Sequence, residues 1–329
     1  MRGAHDNQRV LRRSPPYGHE SRMMELVNAP NPFADVPAGE GRDQELVQLA
    51  KGGSRAALEE LVMRHQSWIY NLALRMVHHP ADAADATQEI LIKLFTRLST
   101  FDGRSSLRTW LYRVAFNHLL NMKRGRTESR EITFEQYGRT LDGMADADLP
   151  DTQAVPADIQ LLVAEARIGC TSGMLLCLDR EQRLVFILGA IFGVSDTVGA
   201  ELLDLSRDNF RQRLSRARRD LQNFMQDKCG LVNTANPCRC AKKTRGFIAA
   251  GHIDPNSLRF ARERVTHVRD VAARTTEEIT GLDEAYAEVY RDHPFQNSPD
   301  FVARLRDLMN QPKFRSTLEL DRMALGKGE

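Results

Sequence analysis

Apolar residues recur at three- and four-residue intervals through successive stretches of the chain, the spacing of one face of a helix. Leu46, Val47 and Leu49 begin a short helix. Ser54 can cap a longer one carrying Leu58, Leu61, Val62, Ile69, Leu72 and Met76 on one face, and His78-His79-Pro80 ends it, because proline cannot continue the hydrogen-bond ladder. Asp82 to Phe101 repeats the pattern with Leu91, Leu94, Phe95 and Leu98, and places Asp82 and Asp85 where a helix dipole favours negative charge. Asp102-Gly103 is a turn, and Ser105 or Ser106 caps a helix to about Arg124 with Leu107, Leu111, Val114, Ala115 and Met122 on its core face. Glu181 to Ile191 is an apolar helix, Asp196 to Leu203 a short one, and Leu205 to Leu221 a basic one striped by Phe210, Leu214, Ala217 and Leu221.

Between these stretches the pattern lapses. Residues 1–42 are rich in Pro, Gly, Asn and Arg without periodicity, which predicts a disordered tail. Residues 127–165 are acidic and broken by Gly and Pro, which predicts a flexible linker. The periodicity resumes for 166–226, and 227–329 carries helical patterns at Ser257–Ala273, Thr276–Asp292 and Ser298–Met309. The fold class is all-α: a helical bundle over 43–126, a helix-turn-helix over 166–226 and a helical C-terminal extension.

The net charge of +2 over 329 residues does not by itself announce nucleic acid, but the basic charge is local. Arg207, Arg211, Arg213, Arg216, Arg218 and Arg219 crowd within about four helical turns and leave the apolar stripe on another face. Their planar forks suit phosphates and guanine edges. A short helix, a tight Asp204-Leu205-Ser206 turn and a basic helix make the pattern whose second helix enters the major groove. The longest apolar run, Leu184 to Val194, is too short to cross a bilayer, so a cytoplasmic protein with no membrane partner is expected. No P-loop, nucleophile elbow or paired zinc-ligand helix is present, so no enzyme is expected.

Three stretches carry a resemblance. LDREQRLVFILGAIFGVS (178–195) followed by AELLDLSRDNFRQRLSRARRDL (200–221) resembles promoter-binding region 4 of bacterial sigma factors of the extracytoplasmic-function type. Asp204, Gly199 and Phe210 depart from that pattern, in place of a turn glycine, a core aliphatic and a smaller residue. DAADATQEILIKLFTRLSTF (82–101) resembles region 2.2, and GRSSLRTWLYRVAFN (103–117) resembles regions 2.3 and 2.4. The resemblance implies core RNA polymerase and promoter DNA as partners, and an anti-sigma factor as a further one. It implies polymerase docking through Asp82, Asp85, Gln88, Glu89 and Ile92. Minus-ten DNA would be held by Phe101, Arg113, Phe116, Asn117, Lys123, Arg124 and Arg126, and minus-thirty-five DNA by Ser206, Arg207, Asn209, Arg211, Arg213, Arg216 and Arg218. A helix-turn-helix regulator that never joins polymerase is the alternative, and Asp82 to Arg126 discriminates the two, since such a regulator has no use for a docking helix joined to a strand-melting one.

Five cysteines without an export signal fit a reducing compartment. Cys229, Cys238 and Cys240 with His252 have the number and type of donors that tetrahedral zinc takes, and Lys242, Lys243 and Arg245 would lower the thiol pKa values. Structural zinc, a metal or redox sensor and unliganded thiols stand as alternatives; no cofactor is required for DNA binding. A metal-dependent enzyme in this region lacks an obvious general base.

Overall fold

The computed structural model describes residues 40–123, 132–147, 157–259, 290, 296 and 298–310. Of the tail expected over 1–42, residues 1–39 lie outside them, while 40–42 are helical; Arg124 and Arg126, and most of the patterns at 257–273 and 276–292, also lie outside. Among the described residues the structure is helical, with one isolated backbone bridge between Cys229 and Cys238.

Helices α1 (Glu40–Lys51), α2 (Arg55–Val77), α3 (Pro80–Arg97) and α4 (Leu107–Asn121) form the first bundle. Ser54 accepts from the Ala57 amide and caps α2, while His78 ends it in a left-handed turn at φ 53°. His79 caps α3, with Pro80 in its first turn, where a missing N–H costs nothing. Leu61, Ile69, Leu72 and Met76 of α2 are buried against Ile90 and Leu94 of α3, each side chain contributing about 1.5–3 kcal/mol.

The linker expectation is corrected in part. Phe134–Gly143 forms helix α5, closed by a capping box between Thr133 and Gln136. Its Phe134 and Tyr137 rings pack on Phe224 at 5.3 and 5.9 Å. Helix α6 (Ala157–Met174) likewise starts inside the stretch taken as linker. The segment Ile159–Cys177 is long and apolar enough to cross a membrane by composition, a feature missed in the sequence; 56% of it is buried inside the protein. Its buried Glu165 accepts the Arg259 amide at 2.6 Å, as in a core helix.

Helix α7 (Arg180–Phe186) runs into a π-helical turn, Ile187–Ile191, and is followed by α8 (Asp196–Leu203) and α9 (Arg207–Lys228). In the extension, α10 (Cys240–Ala249) packs on α6, and α11 (Phe301–Asn310) packs on α2. The two helical groups also touch directly. Arg183 is buried and donates to the carbonyls of Leu175, Leu176, Leu178 and, across the junction, Met76. Arg180 reaches the Met122 carbonyl at 2.5 Å and the Leu120 carbonyl at 3.3 Å.

Candidate nucleic-acid and polymerase interfaces

The helix-turn-helix is built by two serine caps and one strained turn. Ser195 accepts from the Val198 amide to start α8, and Ser206 accepts from the Asn209 amide to start α9. Between them Asp204 stands left-handed at φ 55°, which an aspartate tolerates better than most residues. The departures at Gly199 and Phe210 prove to be one adaptation. A Cβ on Gly199 would lie 2.4 Å from two carbons of the Phe210 ring, so the missing side chain makes room for the larger one. Phe210 is fully buried and pins α9 to α8.

That anchor turns the arginines outward. Arg207, Arg211, Arg216, Arg218 and Arg219 are exposed and Arg213 half-buried. Arg207 and Arg211 pair with Asp196, and Arg213 pairs with Glu181 and the Asn209 side chain. Among the described residues no partner is found for Arg216 or Arg218, so that end of the helix is the most available to a phosphate.

On α3, Ile90, Leu91 and Leu94 are buried, while Asp85 and Glu89 stand in solvent and Asp82, Gln88 and Ile92 are half-buried. Asp82 is tied to His79 at 3.4 Å. The outward row is therefore polar with one apolar member.

On α4 the picture changes. Arg113, Asn117 and Lys123 are exposed, but Phe101 and Phe116 are not: they are 5% and 1% exposed. Phe116 stacks on Tyr112 at 5.8 Å, Tyr112 meets Trp68 edge-on at 4.5 Å, and Phe101 lies 5.7 Å from Trp110. Of the residues expected to hold minus-ten DNA, Phe101 and Phe116 therefore have their rings in the core in this conformation. Arg113 Nη2 lies 3.4 Å from Glu201 Oε1 on α8, so this exposed side of α4 already touches the second helical group. His118 sits 2.6 Å from Lys93 Nζ, and burial together with that cation pushes its pKa down to about 4.

The four residues of the expected metal set are not brought together among the described residues. His252 is exposed, its ring in a T-shaped pair with Phe247, and among the described residues no three His, Cys, Asp or Glu side chains stand where one ion could be held. A small cavity of ≈ 40 Å³ is instead lined by Cys229, Cys238, Cys240 and Cys170, the last from α6. Cys170 was missed because it lies far from the others in sequence. The nearby cations do not win: burial pushes all four thiols up, Cys240 to about 12. Lys243 is spent on the Met144 carbonyl and Asp146.

Residues 61–128 match the family profile of sigma-70 region 2. The ECF RNA polymerase sigma-E factor of Haemophilus influenzae is 28% identical over 189 residues, covering 56% of this chain and 95% of that protein. The RNA polymerase sigma factor CnrH of Cupriavidus metallidurans is 30% identical over 190 residues, again 56% of this chain and 95% of its own length. A solved sigma factor, RpoE in complex with the anti-sigma factor NepR from Bartonella quintana, covers 51% of this chain and 95% of its own at a TM-score of 0.33 and 21% identity. Since the two sequence relatives are covered almost end to end, the rest of this chain has no counterpart in them.

Proposed function

We propose a division of labour for this chain, which belongs to the extracytoplasmic-function (ECF) group of RNA polymerase sigma factors. It binds core RNA polymerase and directs promoter recognition and opening. The polymerase supplies the chemistry, so the protein has no reaction of its own, and it acts in the cytoplasm where that enzyme works.

One observation supports the docking role above the others. Inside the matched segment 61–128, α3 buries Ile90, Leu91 and Leu94 yet leaves Asp85 and Glu89 in solvent, flanked by Gln88 and Ile92. We assign that row to the polymerase. Arg113 and Asn117 on α4, with Lys123 just beyond its end, are assigned to the opened strand, where cations track the backbone and an amide reads base edges. The outward arginines of α9 are assigned to the major groove of the upstream element. An anti-sigma factor is a further partner, suited to the same exposed rows. No cofactor is needed for any of these contacts. The thiol-lined cavity is read as the packing junction between α6 and the extension, because it lies between them, burial pushes its thiol pKa values up, and the expected fourth donor, His252, is exposed.

The test is a pull-down of core polymerase by the wild-type chain and by Gln88→Ala/Glu89→Ala, with helicity followed by circular dichroism. Affinity should fall at least several-fold with helicity intact. Unchanged affinity would remove α3 as the docking surface. A footprint on duplex promoter DNA that needs no polymerase, with no transcription when core is added, would favour the stand-alone regulator.

A further inference from the structure

The arginines of α9 differ in what already holds them. Arg213 is turned back onto the protein: its Nε donates to Asn209 Oδ1 at 2.9 Å, and Nη1 pairs with Glu181. Arg207 and Arg211 share one carboxylate. Asp196 Oδ1 lies 3.5 Å from Arg207 Nη2, and Asp196 Oδ2 accepts from Arg211 Nε. That acid belongs to α8, where it stands in the first turn beside the Ser195 cap. Thr197 Oγ1 donates to Asp196 Oδ1 at 3.3 Å and adds another tie to the same carboxylate. The acid is largely covered and the forks are open: the Asp196 side chain is 23% exposed, those of Arg207 and Arg211 57% and 56%. Loss of water works against the charge on Asp196. Donation from Arg211 and the charges of Arg207 and Arg211 nevertheless hold its pKa below the ordinary carboxylate value, so it is ionised at neutral pH.

An arginine held in this way has a selectivity of its own. A phosphate that approaches Arg211 also meets the negative charge of Asp196, and Asp208 Oδ1 stands 3.7 Å from Nη1, beyond hydrogen-bond reach but near enough to repel. Guanine O6 and N7 accept hydrogen bonds without carrying a formal charge, so the carboxylates oppose that contact far less. With Nε taken by Asp196, Arg211 keeps both Nη groups on its outer edge, a pair of donors that a bidentate guanine contact can use. The fork is oriented before DNA arrives, so less rotamer freedom is lost on contact. Position agrees with this. Arg207 is the first residue of α9 and Arg211 lies about one turn on, and the N-terminal residues of a helix that enters the groove are the ones that reach base edges. Arg216 and Arg218, further along and without a carboxylate partner among the described residues, suit phosphates instead.

We propose that Asp196 is a positioning residue: it holds Arg211 as a fixed fork for a guanine of the upstream element, so that a side chain outside α9 sets the base preference of α9. This rests on the sigma-factor reading above and on the assignment of α9 to the major groove. Asp196 thereby separates two tasks on one helix, keeping the arginines of the first turns for bases and leaving those further along for the backbone.

The experiment uses the full chain with core polymerase and a promoter library randomised over the upstream element, the bound fraction being sequenced at several salt concentrations. The wild type should enrich guanine at one position by roughly 5- to 150-fold, the discrimination of one bidentate arginine. Arg211→Ala should abolish that preference. Asp196→Asn keeps the shape of the side chain and should lower the preference roughly three- to tenfold, while sequences lacking the guanine bind as well or better because two arginines are released. Asp196→Ala should act in the same direction. In the Arg211→Ala background, Asp196→Asn should change the base preference at that position by no more than about twofold. A preference kept in Asp196→Asn, binding lowered alike for every sequence together with a loss of melting temperature, the same loss of preference in the Arg211→Ala background, or no enriched guanine in the wild type would each overturn the positioning role. A wild-type chain that fails to bind core polymerase, or enriches the library equally well without it, would instead overturn the sigma-factor reading. The same selection run with the chain alone would then decide the role of Asp196, so the two failures are told apart.

Discussion

Gly199 and Phe210 offer a sharp test of how α9 is positioned. A Cβ at 199 would lie 2.4 Å from two Phe210 ring carbons and 3.1 Å from a third. Non-bonded carbons prefer ~3.5–4.0 Å, so the ring must retreat by about 1 Å inside a packed core. Overpacking of that kind costs about 1–3 kcal/mol, partly offset by the ~1 kcal/mol that alanine gains over glycine inside a helix. Gly199→Ala alone should therefore be destabilising by up to about 2 kcal/mol. Phe210→Leu alone leaves a void where a fully buried ring stood, at a cost of about 1–3 kcal/mol. In the double variant the new methyl group enters the space the ring vacates, and the helix-propensity gain is realised without the clash. The two changes should couple favourably by about 1–3 kcal/mol. The assay is urea unfolding of the four proteins followed by circular dichroism, since Trp68 and Trp110 both lie in the first bundle and would report on the wrong group of helices. Duplex binding should track the same order. Additivity within about 0.5 kcal/mol would show that the two positions do not share one space, and the account of how α8 holds α9 would fail.

Two further outcomes follow from single residues. Arg216→Ala removes an outward cation that the described structure leaves without an ion-pair partner, so it should weaken duplex binding across sequences and lower the magnitude of the log–log salt slope by about one, read by fluorescence anisotropy at several ionic strengths. An unchanged slope would take Arg216 off the backbone. His118 has a folded pKa near 4, below its unfolded value, so the folded state binds fewer protons between the two and stability falls as pH drops through about 6.5 to 4. The melting temperature should decline from pH 7 to pH 5, and His118→Asn should flatten that decline; an unchanged pH profile in the variant would assign the loss to other groups.

Much of the architecture was readable locally. Serine caps at 54, 106, 195 and 206, the proline at 80 and the three-to-four periodicity mark helix ends and apolar faces through interactions a few residues long. The arginine face of α9 and the polar row of α3 come from the same local spacing, and both stand outward in the structure. What failed was everything that required knowing which face meets which. Helix α5 was hidden in a stretch judged by composition, because its Thr133–Gln136 box is worth little until Phe134 and Tyr137 find Phe224 on α9. Phe116 and Phe101 lie where the strand-facing role would want them along the chain, but only packing against Tyr112 and Trp110 shows that their rings are withdrawn. Cys170 joins Cys229, Cys238 and Cys240 only because α10 docks on α6. The bonds between Asn71 and Gln296 span 225 residues. Sequence periodicity records that a face must be buried; the partner that buries it is chosen by shape and by polar groups with no other place to bond, and those are set only when distant segments come together.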